Sequence, residues 1–235
     1  MHPLIRTART TGLFYLGLAI SGLLGFMVIR SRLFVADDPS AMLANLVDNE
    51  WLARVGVALE MLIVLTQALL AVWFYRLFRG VDPLAAGAIV AFGLVNAVAI
   101  LVSAALLATA VEVAVDPFGE AAANVQLLYL VSGNLWGVGA LFFGLWLIPM
   151  GSCVIRSGWM PRPLGWVLIG GGIGYVLSAF IRYLVPEGQV VAEALVLPAT
   201  VGEFWMLIYL LVVGVRRRTL DVVPRDAHTE VPAST

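Results

Sequence analysis

Six apolar runs, each long enough to cross a lipid bilayer, constrain this sequence more than any other feature. A membrane-spanning helix needs about 20 consecutive, mostly apolar residues. Only 12% of the 235 residues are charged, whereas about a quarter are charged in a typical soluble domain. So few charges cannot cover a surface exposed to water, and we expect the chain to lie mainly in lipid. We predict spans at residues 11–29, 52–78, 83–111, 124–155, 164–184 and 193–215.

These runs predict an all-α fold, with residues 1–215 forming a single domain built as a bundle of six transmembrane helices. The first run is longer than the apolar part of a typical signal peptide, and Arg30 and Arg32 follow it, so we expect a retained helix. Residues 216–235 are polar and contain proline, a composition that predicts a disordered cytoplasmic tail.

The arginines are unevenly divided between the two sides of the predicted bundle. If the N-terminus is cytoplasmic, ten arginines lie on that side and four, Arg30, Arg32, Arg54 and Arg182, lie on the other. Positive charge favours the cytoplasmic side of a membrane. We therefore predict a multi-pass protein of the plasma membrane with both termini in the cytoplasm.

The longest predicted loop, residues 30–56, contains a short amphipathic pattern. Asp37, Asp38 and Ser40 are candidate helix caps, and three apolar residues follow at helical spacing: Leu43, Leu46 and Val47. We predict a short interfacial helix on the outer surface of the membrane.

Glu203 is the most unusual residue within the predicted spans. It lies about 15 Å along the sixth span from the outer end, at 1.5 Å per residue. A charge at mid-membrane costs roughly 2.5–3.5 kcal/mol, and about a dozen large apolar residues in the span offset that cost. We expect Glu203 to face the protein interior, where it can find partners.

Other polar residues fall in the middle or outer half of the spans, and they complete a predicted polar centre. Arg182, with Arg54 as a second candidate, would be the cationic counterpart of two carboxylates, Glu60 and Glu203. Amide side chains at similar depth are further candidates: Gln67, Asn96 and Asn134. The alternative is that these groups serve only as hydrogen bonds between helices.

The fifth predicted span carries small residues at a spacing of four. Gly170, Gly174, Ser178 and Arg182 share one helical face, which predicts a close contact with a neighbouring helix.

Several stretches carry a resemblance to a known family. The longest, LFFGLWLIPMGSCVIRSGWMPRPLGWVLIGGGIGYVLSAF, covers residues 141–180, and its RSGWMPRPLG turn is the most specific part. Shorter pieces are ARTTGLFYL, DDPSAMLANL, WLARVGVALE and GEFWMLIYLLVVGV. Between Ala8 and Val215 the chain resembles the bacterial membrane family called domain of unknown function 4386. The resemblance implies a multi-pass fold and no assigned activity. Family members often carry a polar or histidine-containing stretch before FFGL, where this sequence reads SGNLWGVG, so histidine chemistry is not implied.

The composition narrows the function classes. There is no lysine for a Schiff base, and both histidines lie in the tails, so we predict no catalytic nucleophile, metal or cofactor. The net charge of −1 argues against nucleic acid as a partner. Three hypotheses remain open: a transporter or sensor that binds a small molecule or proton, a non-catalytic subunit, and a membrane-embedded enzyme with a glutamate acid/base. The expected partners are the lipid bilayer, a small-molecule ligand, and a second copy of the chain or another membrane protein.

Overall fold

The structure, a computed structural model, describes residues 2–35 and 37–216. Within these residues the chain is helical and contains no strand, and six of its helices are long and apolar enough to cross a membrane. The long helices are α1 (Pro3–Leu33), α3 (Glu50–Phe78), α4 (Pro83–Val115), α5 (Ala121–Ser157), α6 (Arg162–Leu184) and α7 (Gln189–Val212), and a short helix, α2 (Pro39–Asp48), lies between the first two. The prediction of six helices that are long and apolar enough to span a membrane is confirmed. We predicted a disordered tail at residues 216–235, and all of it except Arg216 lies outside the described residues.

Most of the helices extend beyond the predicted spans, because the apolar runs mark only the part that fits the hydrocarbon layer. The difference is largest in α1, which begins at Pro3 and continues to Leu33. The last helix ends earlier than predicted, at Val212, and Gly214 then turns the chain with a φ of +75° that favours glycine.

Local signals in the sequence explain where the helices begin and end. Asp82 accepts a hydrogen bond from the backbone N–H of Ala85 and precedes a proline, so it caps α4. Asp38 caps α2 in the same way, through the N–H of Ala41. Gly158, at a φ of +65°, ends α5.

The six long helices form a closed ring in chain order. Each packs against the next, and α7 returns to pack against α1. Short connections between successive spans make neighbouring helices antiparallel. Both described ends therefore lie at one end of the ring, where Gly214 approaches Ile5 and Ala8. We call this the terminal end.

The centre of the ring is filled at the terminal end by aromatic side chains. Tyr15, Phe74 and Trp146 pack edge to face with ring centroids 5.9–6.1 Å apart. Phe78 stacks on Phe74 and on Trp159. These rings leave the interior closed on this side, so an internal cavity has room only nearer the opposite end.

The short helix α2 covers part of the opposite end, where it packs mainly against α4 and α5 rather than against α6 or α7. Met42 and Leu46 are fully buried and pack against Leu33 and Val125, while Leu43 is half-buried and Val47 exposed. The helix predicted in this loop is present, and its place at the membrane interface remains a prediction.

Glycines let α6 approach both of its neighbours closely. A Cβ atom on Gly172 would lie 2.7 Å from the backbone oxygen of Gly144 in α5, and one on Gly171 would lie 2.5 Å from the backbone of Ala199 in α7. Gly174 lies against the carbonyl of Leu195, as the predicted stripe requires, but Gly170 has no neighbour within 4 Å. The stripe prediction is wrong at Gly170 because α6 packs through two faces rather than one.

Candidate binding cleft

A buried ion pair between the first two long helices is the best-connected polar feature of the interior. The Nη2 atom of Arg30 lies 2.7 Å from Oε1 of Glu60, and the two side chains are 11% and 4% exposed. Arg30 ends a π-helical segment, Leu24–Arg30, within α1. A π-helical turn carries more residues than an α-helical one and so changes which face of the helix the following residues occupy.

Two serines and a tryptophan extend this ion pair across the ring. Arg30 donates to the Oγ atoms of Ser132, at 2.6 Å, and Ser103, at 3.3 Å. Ser103 donates to Glu60 Oε2 at 2.9 Å, and Trp136 Nε1 donates to Ser103 at 3.0 Å. These five residues, the Arg30 network, come from α1, α3, α4 and α5. Their two charges cancel, and the hydrogen bonds join four of the six long helices.

Aromatic rings surround the guanidinium of Arg30. Its Cζ atom lies 4.8 Å from the ring centre of Phe26 and 5.7 Å from that of Tyr129, both cation–π distances. The Nε atom is buried and has no hydrogen-bond partner among the described residues. The cation is thus held mainly through one end of its guanidinium.

Glu203 has a different partner from the one that its position suggested. The hydroxyl of Tyr15 donates to its Oε1 atom at 2.7 Å, across the contact between α1 and α7. Within residues 2–35 and 37–216, no arginine lies at ion-pair distance from Glu203. The two predicted carboxylates therefore belong to separate places, Glu60 to the Arg30 network and Glu203 to Tyr15.

The predicted cationic counterparts lie outside these contacts. Arg182 is exposed and forms no ion pair with any described residue. Arg54 pairs with Glu50 one turn away, at 2.7 Å on the surface. Asn134 is exposed and accepts a hydrogen bond of 3.2 Å from Tyr183.

The remaining two candidates are buried amides near the middle of the ring. Gln67 and Asn96 are 1% and 2% exposed. The Oε1 atom of Gln67 and the Nδ2 atom of Asn96 have no hydrogen-bond partner among the described residues. Among the described residues, no cluster of three or more His, Cys, Asp or Glu side chains is placed to hold a metal ion.

Two adjoining cavities occupy the ring between the aromatic core and the opposite end. The first, of about 230 Å³, is the Glu203 chamber. The second, of about 390 Å³, is the Arg182 chamber, and Phe26 and Trp136 line both. The walls of the Glu203 chamber include Tyr15, Gly22, Phe143 and Glu203. Those of the Arg182 chamber include Arg30, Gly133, Tyr175, Ser178, Arg182 and Glu193.

The two chambers have different chemistry. The Glu203 chamber is mostly apolar, with one carboxyl group on its wall. The Arg182 chamber exposes two arginines and one glutamate, together with a tyrosine and a serine. We call the two chambers together the cleft. Its first part suits an apolar group, and its second part suits a polar one.

The family comparison extends over the same helices. The family model described as a domain of unknown function (DUF4386) matches residues 10–214, which include nearly all of the six long helices. The chain belongs to this family. The resemblance seen in the sequence is thereby confirmed. No curated protein and no solved structure matches this DUF4386 protein.

Two residues of the cleft were missed by reasoning from the sequence. Arg30 was counted as a flanking charge because the first apolar run ends before it, yet the helix continues to Leu33. Tyr15 looked like one more aromatic residue of an apolar span. The position of Arg30 directly after the first apolar run was the signal that could have indicated its place in the helix. No local signal connects Tyr15 with a carboxyl group 188 positions later.

Proposed function

We propose that this DUF4386 protein binds a small organic molecule in the cleft and that binding serves its transport or its detection. The observation that carries the proposal is the pair of adjoining chambers, of about 230 and 390 Å³, inside a ring of six helices. Ligand sites in proteins are concave, largely apolar and supplied with a few polar groups, and they are common between the helices of a bundle. The cleft has each of these properties.

The closed aromatic core supports a site with access from one side. Tyr15, Phe74 and Trp146 fill the ring at the terminal end, so a ligand would reach the cleft from the opposite end or from the bilayer. If the positive-inside prediction holds, that opposite end is extracellular. A transport cycle would then require the aromatic core to separate, whereas a sensor would need only a shift of the helices around the ligand.

Reactivity of engineered cysteines tests whether the cleft is open to water. On a Cys153→Ala background, Gly133→Cys places a thiol on the wall of the Arg182 chamber, and Gly170→Cys is the control. Neither glycine has a neighbour within 4 Å, so both substitutions fit. A charged methanethiosulfonate reagent needs a hydrated thiolate, because the thiolate is the reactive form of cysteine. We expect it to modify Gly133→Cys in intact cells and to leave the lipid-facing Gly170→Cys unmodified.

The opposite result favours the second hypothesis. If Gly133→Cys reacts no faster than Gly170→Cys, the cleft is closed to water and the polar residues act as hydrogen bonds between helices. The protein would then be better described as a non-catalytic subunit of a membrane complex.

A further inference from the structure

We propose that the Glu203 chamber takes a lipophilic organic cation, which reaches it through an opening between α1 and α7. This inference rests on the proposed function and names its ligand class. It is carried by three features of the chamber: its single carboxyl group, its aromatic wall and its open side.

The carboxyl group of Glu203 has one oxygen committed and one available. Tyr15 donates to Oε1, and Oε2 accepts no hydrogen bond from a described residue. No described arginine lies at ion-pair distance from the carboxyl group. A carboxylate at this depth is costly unless a positive charge accompanies it. A cationic ligand would supply the counter-charge that the surrounding helices do not provide.

Aromatic rings form the wall that a cation would face. Trp136 and Phe143 stack with their ring centres 6.3 Å apart, and both line the chamber together with Tyr15 and Phe204. The face of an aromatic ring attracts cations, and sites built from several rings recognise quaternary ammonium groups. The same rings offer an apolar surface to the rest of the ligand. Phe26 contributes less to this attraction, because Arg30 already lies against its ring.

The Glu203 chamber has an open side between α1 and α7, where lining residues of both helices are exposed. Near the terminal end the helices touch, since a Cβ atom on Gly12 would lie 3.0 Å from Leu211. Beyond the hydrogen bond between Tyr15 and Glu203, a Cβ atom on Gly22 of α1 would meet no atom within 4 Å. Leu23 and Phe204, which line the chamber, are 55% and 51% exposed. Because this side of the ring faces the bilayer, a ligand using the opening must dissolve in lipid.

The arginines do not conflict with a cation at Glu203. The Arg182 chamber has Glu193 on its wall, ten residues before Glu203 in the same helix, which is about 15 Å along its axis. Phe26 and Trp136 stand between the two chambers. An anionic ligand would instead choose the Arg182 chamber, and this difference allows the two classes to be told apart.

The test measures binding of small probes to the full-length protein in lipid nanodiscs by isothermal titration calorimetry. The probes are benzyltrimethylammonium, its neutral carbon analogue neopentylbenzene, the bare cation tetramethylammonium, and the anion benzylphosphonate. We expect benzyltrimethylammonium to bind about tenfold or more tightly than each of the other probes, because only it combines a positive charge with an apolar ring.

Four variants locate the site. Glu203→Gln removes the charge, and Gly22→Leu fills the Glu203 chamber. We expect each variant to raise the Kd of benzyltrimethylammonium about tenfold or more. Glu203→Gln removes a desolvated ion pair with the ligand, and Gly22→Leu fills the space that the ligand would occupy. Gly170→Leu, outside the cleft, is the control and should leave the Kd within about twofold. Gly133→Leu, in the Arg182 chamber, reports on any probe that binds in that chamber instead. Leucine at these open helical positions is also a better helix former than glycine, so the variants should fold.

Each other outcome overturns the inference in a recognisable way. Equal binding of the cation and its neutral analogue, or unchanged affinity in Glu203→Gln, would show that the carboxylate takes no part in recognising the ligand. Preferential binding of benzylphosphonate that is lost in Gly133→Leu would place an anion in the Arg182 chamber and leave the proposed function standing. If no probe binds and Gly133→Cys is also unreactive, the proposed function fails together with this inference.

Discussion

Arg30 and Glu60 form an ion pair, and we expect the removal of either member alone to destabilise the fold. Glu60 is buried and Arg30 is nearly so, and Ser103 and Ser132 satisfy much of their remaining hydrogen-bonding capacity. Removing one member of such a pair leaves an uncompensated charge in a medium that solvates it poorly. We therefore expect the pair to contribute more to the specificity of the helix arrangement than to its net stability.

Glu60→Gln tests this account of the Arg30 network. We expect a loss of about 3–5 kcal/mol in the free energy of unfolding, because Arg30 stays buried without its carboxylate. The double variant Arg30→Gln/Glu60→Gln should recover part of the loss. Glu50→Gln, which breaks the exposed pair with Arg54, is the matched control and should cost about 0–1 kcal/mol. The measurement is unfolding of the purified proteins in detergent, and similar losses at Glu60 and Glu50 would contradict the account.

Glu203 should be coupled energetically to Tyr15 and not to Arg182. The hydroxyl of Tyr15 donates to the carboxyl group, whereas no ion pair joins Arg182 to it. In double-mutant cycles we expect Glu203→Gln and Arg182→Gln to add within about 0.5 kcal/mol, and Glu203→Gln and Tyr15→Phe to depart from additivity by about 0.5 kcal/mol or more. A larger coupling with Arg182 than with Tyr15 would show that the hydrogen bond is misassigned.

Individual residues show where reasoning from the sequence stops. The inward position of Glu203 could be predicted, because its cost in lipid depends only on depth and charge. The partner of Glu203 could not be predicted, because Tyr15 contacts Glu203 only through the packing of the first long helix against the last. Arg30 was missed because the first apolar run ends before it, although the helix continues to Leu33. The π-helical segment Leu24–Arg30, which affects the face that Arg30 occupies, could not be predicted from the residues in it.

At the level of elements, the length and hydropathy of the runs were sufficient to predict the six long helices. The contacts between helices were harder to predict from the sequence. Gly174 was correctly expected at a contact, but Gly171 and Gly172 were not, since a spacing of four describes one helical face and α6 packs through two. The arrangement of partners around a helix depends on the whole bundle, so a pattern within one helix cannot supply it.

Gly172→Leu should destabilise the contact between α5 and α6. The new side chain would meet the backbone oxygen of Gly144 at 2.7 Å and could be accommodated only by separating the two helices. We expect a loss of about 1–3 kcal/mol in the free energy of unfolding, the usual cost of overpacking. Gly170→Leu, two positions away on the open face, should be close to neutral. Thermal unfolding in detergent compares the two, and equal losses would refute the assigned faces of α6.

At the scale of the whole molecule, the ring combines a closed end with a cleft near the other end. The aromatic core joins the helices at the terminal end, and the Arg30 network joins four of them further along. Hydrogen bonds from Arg9 and Tyr15 cross the seam between α1 and α7. Arg9 donates to the carbonyl of Val212 at 3.5 Å, and Tyr15 donates to Glu203 at the inner limit of the Glu203 chamber. This seam is the least extensive of the six contacts around the ring, so we expect a movement that opens or closes the cleft to involve it.

The orientation of the ring in the membrane decides which solution the cleft faces. Seven of the eleven arginines among the described residues lie toward the terminal end, so we expect both termini in the cytoplasm and the Arg182 chamber toward the outside. On a Cys153→Ala background, Glu120→Cys in the connection between α4 and α5 should react with a membrane-impermeant maleimide in intact cells. Ser234→Cys, in the C-terminal tail, should react only after the cells are permeabilised. The reverse pattern would invert the bundle and turn the Arg182 chamber toward the cytoplasm, where it would meet a cytoplasmic rather than an extracellular ligand.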